Sequence, residues 1–409
     1  MTRAAPRWYY GWTIVAALGV TTIVAYGTTQ YLIGLLVDPL VRELGWSRAA
    51  IGGAYSGTIL VAGLVGIGIG RVLDRVGARL VLCAGSLVTG ASLLALAQVR
   101  TLAQFQLVWA LGLGVGTALT YYPVSFTVLA NWFAARRVHA LAVLTFFGAF
   151  SSTIFYPLSG LLIAAYGWRI AVTVLAAIHL CIALPLHATL VRRHPEDLGL
   201  VPDGRAHARD AGPQSGMALR AALTTPAFWS VTVALTLALG ASSAVLVQHV
   251  AYLIDRGYAP AGAASLVGLF GVAYLPGRSL VAYAAGRVPR LQQMAIAFLL
   301  QAAGLAVLIA SSATIAVLAY VLAFGAAYGA LSPLRGEVIA DLFGRRAYGA
   351  IIAVHGVPIA LLGALGPLLV GRAVDRFGYP VAFGCCIAAF VCAAAIVVLP
   401  AHGYLRNRK

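Results

Sequence analysis

Gly70-Arg71-Val72-Leu73-Asp74-Arg75-Val76-Gly77-Ala78-Arg79 sets four charges between two apolar runs, 49–72 and 79–98. Each run is long enough to cross a bilayer, whose hydrocarbon core takes about 20 residues of helix. A charged turn between two such runs predicts a helical hairpin that bends at the membrane surface. The same alternation continues along the whole 409-residue chain. Apolar runs fall near 11–36, 49–72, 79–98, 104–130, 139–164, 169–190, 226–250, 261–286, 291–311, 314–339, 348–370 and 379–400. Lipid gives the backbone no hydrogen-bond partner, so each run is predicted to be a helix. The fold class expected is an all-α polytopic membrane protein of twelve transmembrane helices.

Composition agrees. Hydrophobic types make up 61% and charged types 10%, against about 25% charged residues in soluble domains. That excludes a soluble enzyme, a nucleic-acid-binding module and a disordered chain. The net charge of +17 does not point to nucleic acid, because the arginines stand in short clusters between apolar runs. Nineteen of the Arg and Lys residues lie on the side that holds both termini, and seven lie on the other. The positive-inside rule then places both termini in the cytoplasm and the chain in the cytoplasmic, or inner, membrane. Arg278 and Arg335 remain, both within spans. Cys83, Cys181, Cys385, Cys386 and Cys392 lie in apolar stretches without ligand or disulfide spacing, so neither a metal nor a disulfide framework is expected. No cleavable signal peptide is expected: a run long enough to span follows Arg3 and Arg7. No nucleophile–base pair, P-loop or haem ligand set is present, so no cofactor and no enzymatic activity are expected.

The longest polar stretch, 191–224, contains Pro195, Pro202, Gly204, Pro213 and Gly216. It predicts a cytoplasmic linker between two six-helix bundles, 1–190 and 225–409. The two halves repeat. At an offset of about 210 residues, Pro123 matches Pro333, Ala130-Asn131-Trp132-Phe133 matches Ala340-Asp341-Leu342-Phe343, and Arg136-Arg137 matches Arg345-Arg346. Pro157-x-x-Gly160 matches Pro367-x-x-x-Gly371, and Gly167-Trp168 matches Gly378-Tyr379. Like halves flanking a central site are a layout of many secondary transporters.

The 70–79 stretch resembles the signature loop of the major facilitator superfamily, G-x-x-x-D-R-x-G-x-R. The resemblance implies gating roles for Gly70, Asp74, Arg75 and Arg79, with Asp74 capping a facing helix N-terminus. The second-half counterpart is degraded; Gly286 is expected where the aspartate should stand. Within the superfamily the chain resembles the monocarboxylate transporters and oxalate/formate exchangers. That likeness rests on Trp8-Tyr9-Tyr10-Gly11-Trp12, Asn131-Trp132-Phe133-x-x-Arg136-Arg137 and Gly167-Trp168-Arg169. It rests also on Pro195-Glu196-Asp197-Leu198-Gly199 and Gly277-Arg278.

Arg278 lies about 13 Å along the eighth span from Arg287, too deep to reach the surface freely. No acid stands within one helical turn of it. A guanidinium there suits a carboxylate ligand, and the resemblance implies that role; a structural pair with Glu337 or Asp38 is the alternative. Arg335 has Glu337 and Asp341 in its own helix, and the expectation is a structural or gating ion pair. His249 and His355 are the proton-coupling candidates, being histidines within spans. They matter more because Tyr274 stands where the resemblance expects an aspartate. His355 falls where the exchangers carry a lysine. Tyr121, Tyr328, Thr28 and Gln30 complete the substrate-binding set, on spans that line the cavity in the implied fold; each also fits as a packing residue.

The function expected is a secondary active transporter of a small organic anion, a monocarboxylate such as lactate, pyruvate or formate, working by alternating access. Its partners would be the anion, protons or a counter-anion, and the bilayer, with no nucleic acid; the chain would be monomeric. An efflux transporter of apolar drugs or metabolites and a transporter-like ligand sensor are the alternatives.

Overall fold

The computed structural model describes residues 9–203, 216–284, 286–344 and 346–406. Arg345 of the expected Arg345-Arg346 pair lies outside them. Gly70 and Asp74 are described only as helical backbone, so their expected gating contacts lie outside the described residues.

The helices are α1 (Tyr10–Leu44), α2 (Arg48–Val76), α3 (Ala78–Leu96), α4 (Leu102–Trp132), α5 (137–166) and α6 (168–190). After the polar linker come α7 (Pro226–Asp255), α8 (Pro260–Gly268 continuing as Phe270–Tyr283) and α9 (Arg290–Ala310). The chain closes with α10 (Thr314–Phe343), α11 (Tyr348–Phe377) and α12 (Tyr379–Arg406). Eleven described stretches are long and apolar enough to cross a membrane. One of them, His139–Leu190, turns at Gly167 (φ 79°, ψ 162°), where two spans meet, and this gives the twelve expected. Only glycine adopts that backbone conformation without strain. Gly378 sits between α11 and α12 at almost the same angles, φ 78° and ψ 170°, so the Gly167/Gly378 match is a match of backbone shape.

The same comparison corrects the second-half signature. Gly77 ends α2 at φ 84°, and Gly286 follows α8 at φ 76°. Gly286 therefore corresponds to the turn glycine, Gly77, and not to Asp74. The aspartate position falls on Tyr283.

The described residues form two compact units, 9–32 with 61–203, and 33–60 with 216–406. In the first, α1 packs along α5, where a Cβ on Gly19 or Gly27 would strike the rings of Phe147 and Phe155. The aromatic entry to α1 closes one end. Tyr9 donates to the carbonyl of Trp132 at 2.6 Å, Tyr10 to that of Leu190 at 2.9 Å, and Trp12 meets Phe133 edge-on at 5.0 Å. These are the family-like aromatic positions, and they form one buried cluster with Val128, Leu129 and Val191. The two described linker ends are pinned at matching sites. Backbone N–H groups of Ala134 and Ala135 donate to the Asp203 carbonyl, beside Phe133, and Met217 N–H donates to the Phe343 carbonyl at 2.8 Å.

In the second unit α7 packs on α11 and α12, α9 on α10 and α12, and α8 on α10. The start of α2 docks on the end of α11. Gly52 and Gly371 leave no room there for a Cβ, facing the backbones of Pro367 and Ala49. Asp375 caps α2, its two carboxylate oxygens accepting from Arg48 N–H at 3.2 Å and Ala49 N–H at 3.0 Å. Arg48 pairs with Asp255 at 2.8 Å and donates to the Tyr379 hydroxyl at 3.2 Å. This end of α11 reads Gly371-Arg372-Ala373-Val374-Asp375-Arg376-Phe377-Gly378, with the polar spacing of Gly70-Arg71-Val72-Leu73-Asp74-Arg75-Val76-Gly77. The second copy is legible in the sequence; it recurs after the eleventh span, not the eighth.

An N-terminal cap contributes about 0.5–2 kcal/mol, and an exposed ion pair about 0–1 kcal/mol. Asp375→Ala should therefore lower the melting temperature of the detergent-solubilised protein by more than Asp255→Ala does. Equal or absent shifts, followed by tryptophan fluorescence, would show that the cap does not hold α2 to α11.

Candidate substrate site

The candidate residues fall into one group in each unit. In the first, α1 breaks at 29–31 and resumes at Leu32. Thr29 donates its hydroxyl hydrogen to the Ala25 carbonyl at 2.6 Å, so the 2.6 Å contact with Tyr121 is donated by the tyrosine. Tyr121 stands where α4 itself breaks, with extended ψ 180°, before the helix restarts with Pro123 in its first turn. The Tyr26 ring stacks on Tyr121 at 3.9 Å. Two helix breaks are thus tied together by one hydrogen bond and one stacked pair.

Thr28 donates to the Val24 carbonyl at 2.9 Å, so His179 Nδ1–H is the donor in its 3.0 Å bond to Thr28. His179 opens a π-helical turn, His179–Ala183, in α6, and α4 contains another, Val108–Leu113. Such turns occur often at functional sites. His179 and His187 were missed as span histidines, although both lie in the predicted 169–190 run. Fully buried, they bond to Thr28 and, at 2.9 Å, to Ser86. Gln30 is half-buried beside this break.

In the second unit Tyr274 and Tyr328 meet with ring centroids 5.5 Å apart. They can do so because Gly277 and Gly329 bring α8 and α10 to backbone contact, opposite Ala326 and Tyr274. Arg278 is one turn beyond Tyr274 on the same face of α8, half-buried. His249 is fully buried and shares a 3.1 Å hydrogen bond with Tyr320. Tyr320 is eight residues before Tyr328, about 12 Å along α10, so His249 belongs to a different level from the tyrosine pair.

Arg335 departs from expectation. Residues two apart in a helix point to opposite sides, and Glu337 turns to α9, its Oε2 lying 2.9 Å from Arg290 Nε. That approach is a charge contact more than an aligned hydrogen bond. The Arg335 guanidinium instead lies over Gly356 of α11, Nη2 3.1 Å from where a Cβ would be. It is within electrostatic reach of His355 and Tyr348. Asp38, considered as a distant partner for Arg278, pairs with Arg42 at 2.8 Å. Arg75 and Arg79 are exposed.

Twelve apolar helices, with breaks in α1 and α4 and arginines within α8 and α10, define a polytopic membrane protein. The sequence profile of the Major Facilitator Superfamily matches residues 18–322 and 250–407, and the chain belongs to that superfamily. It is 28% identical to human Monocarboxylate transporter 11 over 90% of its own length and 78% of that protein's. It is 27% identical to rat Monocarboxylate transporter 13 over 95% and 88%. An MFS-type efflux pump of Mycolicibacterium smegmatis is 32% identical over 41% of this chain and 40% of that one. In fold it resembles the solved peptide transporter POT in complex with sulfate, with TM-score 0.75 and 14% identity, covering 98% of this chain and 96% of that one.

The Thr29–Tyr121 bond generates a test. A double-mutant cycle of Thr29→Val and Tyr121→Phe, read by thermal unfolding, should give a coupling of about 0.5–1.5 kcal/mol. Purely additive effects would mean that the two breaks are held independently.

Proposed function

We propose that the protein is a secondary active transporter of a small organic anion, a monocarboxylate such as lactate, pyruvate or formate. The observation that carries this is Arg278, half-buried in α8 one turn beyond the Tyr274–Tyr328 pair. A guanidinium inside a span is costly unless it faces a polar cavity and an anion, and it binds carboxylate in a two-pronged fork. The relatives named monocarboxylate transporters support that substrate class.

In this account the carboxylate docks on Arg278 with Tyr328 beside it. Tyr121, Thr28 and Gln30 are the substrate-binding candidates of the first unit. Transport proceeds by alternating access, driven by a proton or by exchange for a second anion. His249 and His355 are the proton-coupling candidates, and Gly70, Asp74, Arg75 and Arg79 the gating residues. The termini face the cytoplasm from the inner membrane, and the chain acts as a monomer.

Arg278→Ala should abolish counterflow of labelled lactate in vesicles preloaded with unlabelled lactate, while protein level and melting temperature stay near wild type. Counterflow at the wild-type rate in the variant would remove Arg278 from the binding role.

A further inference from the structure

Arg335 and His355 together form a pair of opposite hydrogen-bonding character. Thr232 donates its one hydroxyl hydrogen to the Phe228 carbonyl at 2.7 Å. Its 2.9 Å contact with His355 Nδ1 must then be donated by the imidazole. That fixes the neutral tautomer: Nδ1 carries the hydrogen, and Nε2 is left as an acceptor. Nε2 is buried and has no partner among the described residues. The Arg335 guanidinium, over the neighbouring Gly356 and within electrostatic reach of His355, presents donors only, and its Nε is likewise buried without a partner among the described residues. Of the two acids expected near Arg335, Glu337 is engaged by Arg290 and Asp341 is exposed. No acidic residue forms an ion pair with Arg335 among the described residues. Tyr348 of α11 lies within electrostatic reach of Arg335, and Thr232 and Phe228 of α7 contact His355.

We propose that Arg335 and His355 are a second recognition site for the transported anion, and that they suit it to 2-hydroxy monocarboxylates. The carboxylate accepts from Arg335, and the 2-hydroxyl donates to His355 Nε2. A 2-oxo acid has an acceptor where the hydroxyl stands and would face the Nε2 lone pair unfavourably; an unsubstituted acid leaves Nε2 empty. Both nitrogens are shielded in this state, so the ligand enters as the half-exposed Arg335 side chain lifts from Gly356. Gly356 is what allows the guanidinium to lie there, since a Cβ would crowd Nη2. Arg335 is two turns beyond Tyr328 on the same side of α10, and Arg278 one turn beyond Tyr274 on α8. The second site therefore lies further along the helices, toward the end that closes at Phe343. The inference rests on the carboxylate-transport reading and adds the substrate's second functional group.

The test is competition by 2-hydroxypropanoate, 2-oxopropanoate and propanoate against labelled lactate for binding to the purified, reconstituted full chain. Wild type should favour the hydroxy acid over both others by about tenfold. His355→Asn keeps an amide donor to Thr232 and removes the acceptor at Nε2. It should bring the three acids within about twofold of one another without weakening propanoate. Arg335→Gln should bring the three acids within about twofold of one another, the Arg278 site still binding each, with partial recovery of the preference in Arg335→Lys, and thermal unfolding reports whether each variant is folded. A wild type that binds all three acids alike, or a hydroxy-acid preference that survives in His355→Asn, would overturn the inference while leaving carboxylate transport in place. So would unchanged affinities in Arg335→Gln. A wild type that binds none of them would overturn the carboxylate reading and this inference with it.

Discussion

Lipid supplies neither hydrogen bonds nor counter-charge, and every polar group within the twelve spans is placed under that constraint. Most hydroxyls meet it within their own helix. Thr28, Thr29, Thr232 and Ser242 each donate to the carbonyl four residues back. That local bond has a remote effect, because a hydroxyl whose hydrogen is already spent can only accept from its next partner. It orients Tyr121 toward α1 and sets the tautomers of His179 and His355. The hydrogen-bonding character of Tyr121, His179 and His355 is thus decided by threonine hydroxyls whose hydrogens stay within their own helices.

Charges meet the constraint in a different way, by lying near the helix ends. Arg48 with Asp255, Arg42 with Asp38 and Arg290 with Glu337 are pairs within about two turns of a helix end, and Arg136, just before α5, approaches Asp203 of the linker. Arg278 lies five residues before the end of α8 at Tyr283, and Arg335 eight before the end of α10 at Phe343. Where a charge is held inside a span, function is the default explanation, which is why the proposed binding roles fall to α8 and α10. The close backbone approach of those helices, through Gly277 and Gly329, places the Tyr274–Tyr328 pair and the two arginines on neighbouring faces.

Much of this was legible in the sequence. The twelve spans follow from apolar run length alone, and the internal repeat follows from prolines and glycines whose backbone role does not depend on neighbours. Gly167 and Gly378 share their dihedral angles because both must turn a chain between two spans. Side-chain partnerships were less legible. Arg335 and Glu337 are near in sequence, but two residues along a helix is a half-turn to the opposite side. Gly286 looks like a substituted aspartate until its backbone angle shows it to be the turn glycine. Asp375 recurs in the same eight-residue pattern as Asp74, yet what it caps, the start of α2, is more than 300 positions away in sequence. His179 and His187 were hidden by their setting, since nothing in an apolar run shows which serine or threonine of another helix will face them.

The central claim is that this chain moves a small carboxylate through the membrane. The most direct measurement is uptake of labelled lactate into proteoliposomes of the purified wild-type protein, with and without an inward proton gradient, and with empty or anion-loaded vesicles. The account predicts saturable uptake that a proton gradient accelerates or that internal anion stimulates. Flux no greater than in protein-free vesicles under all of these conditions, for lactate, pyruvate and formate alike, would contradict it.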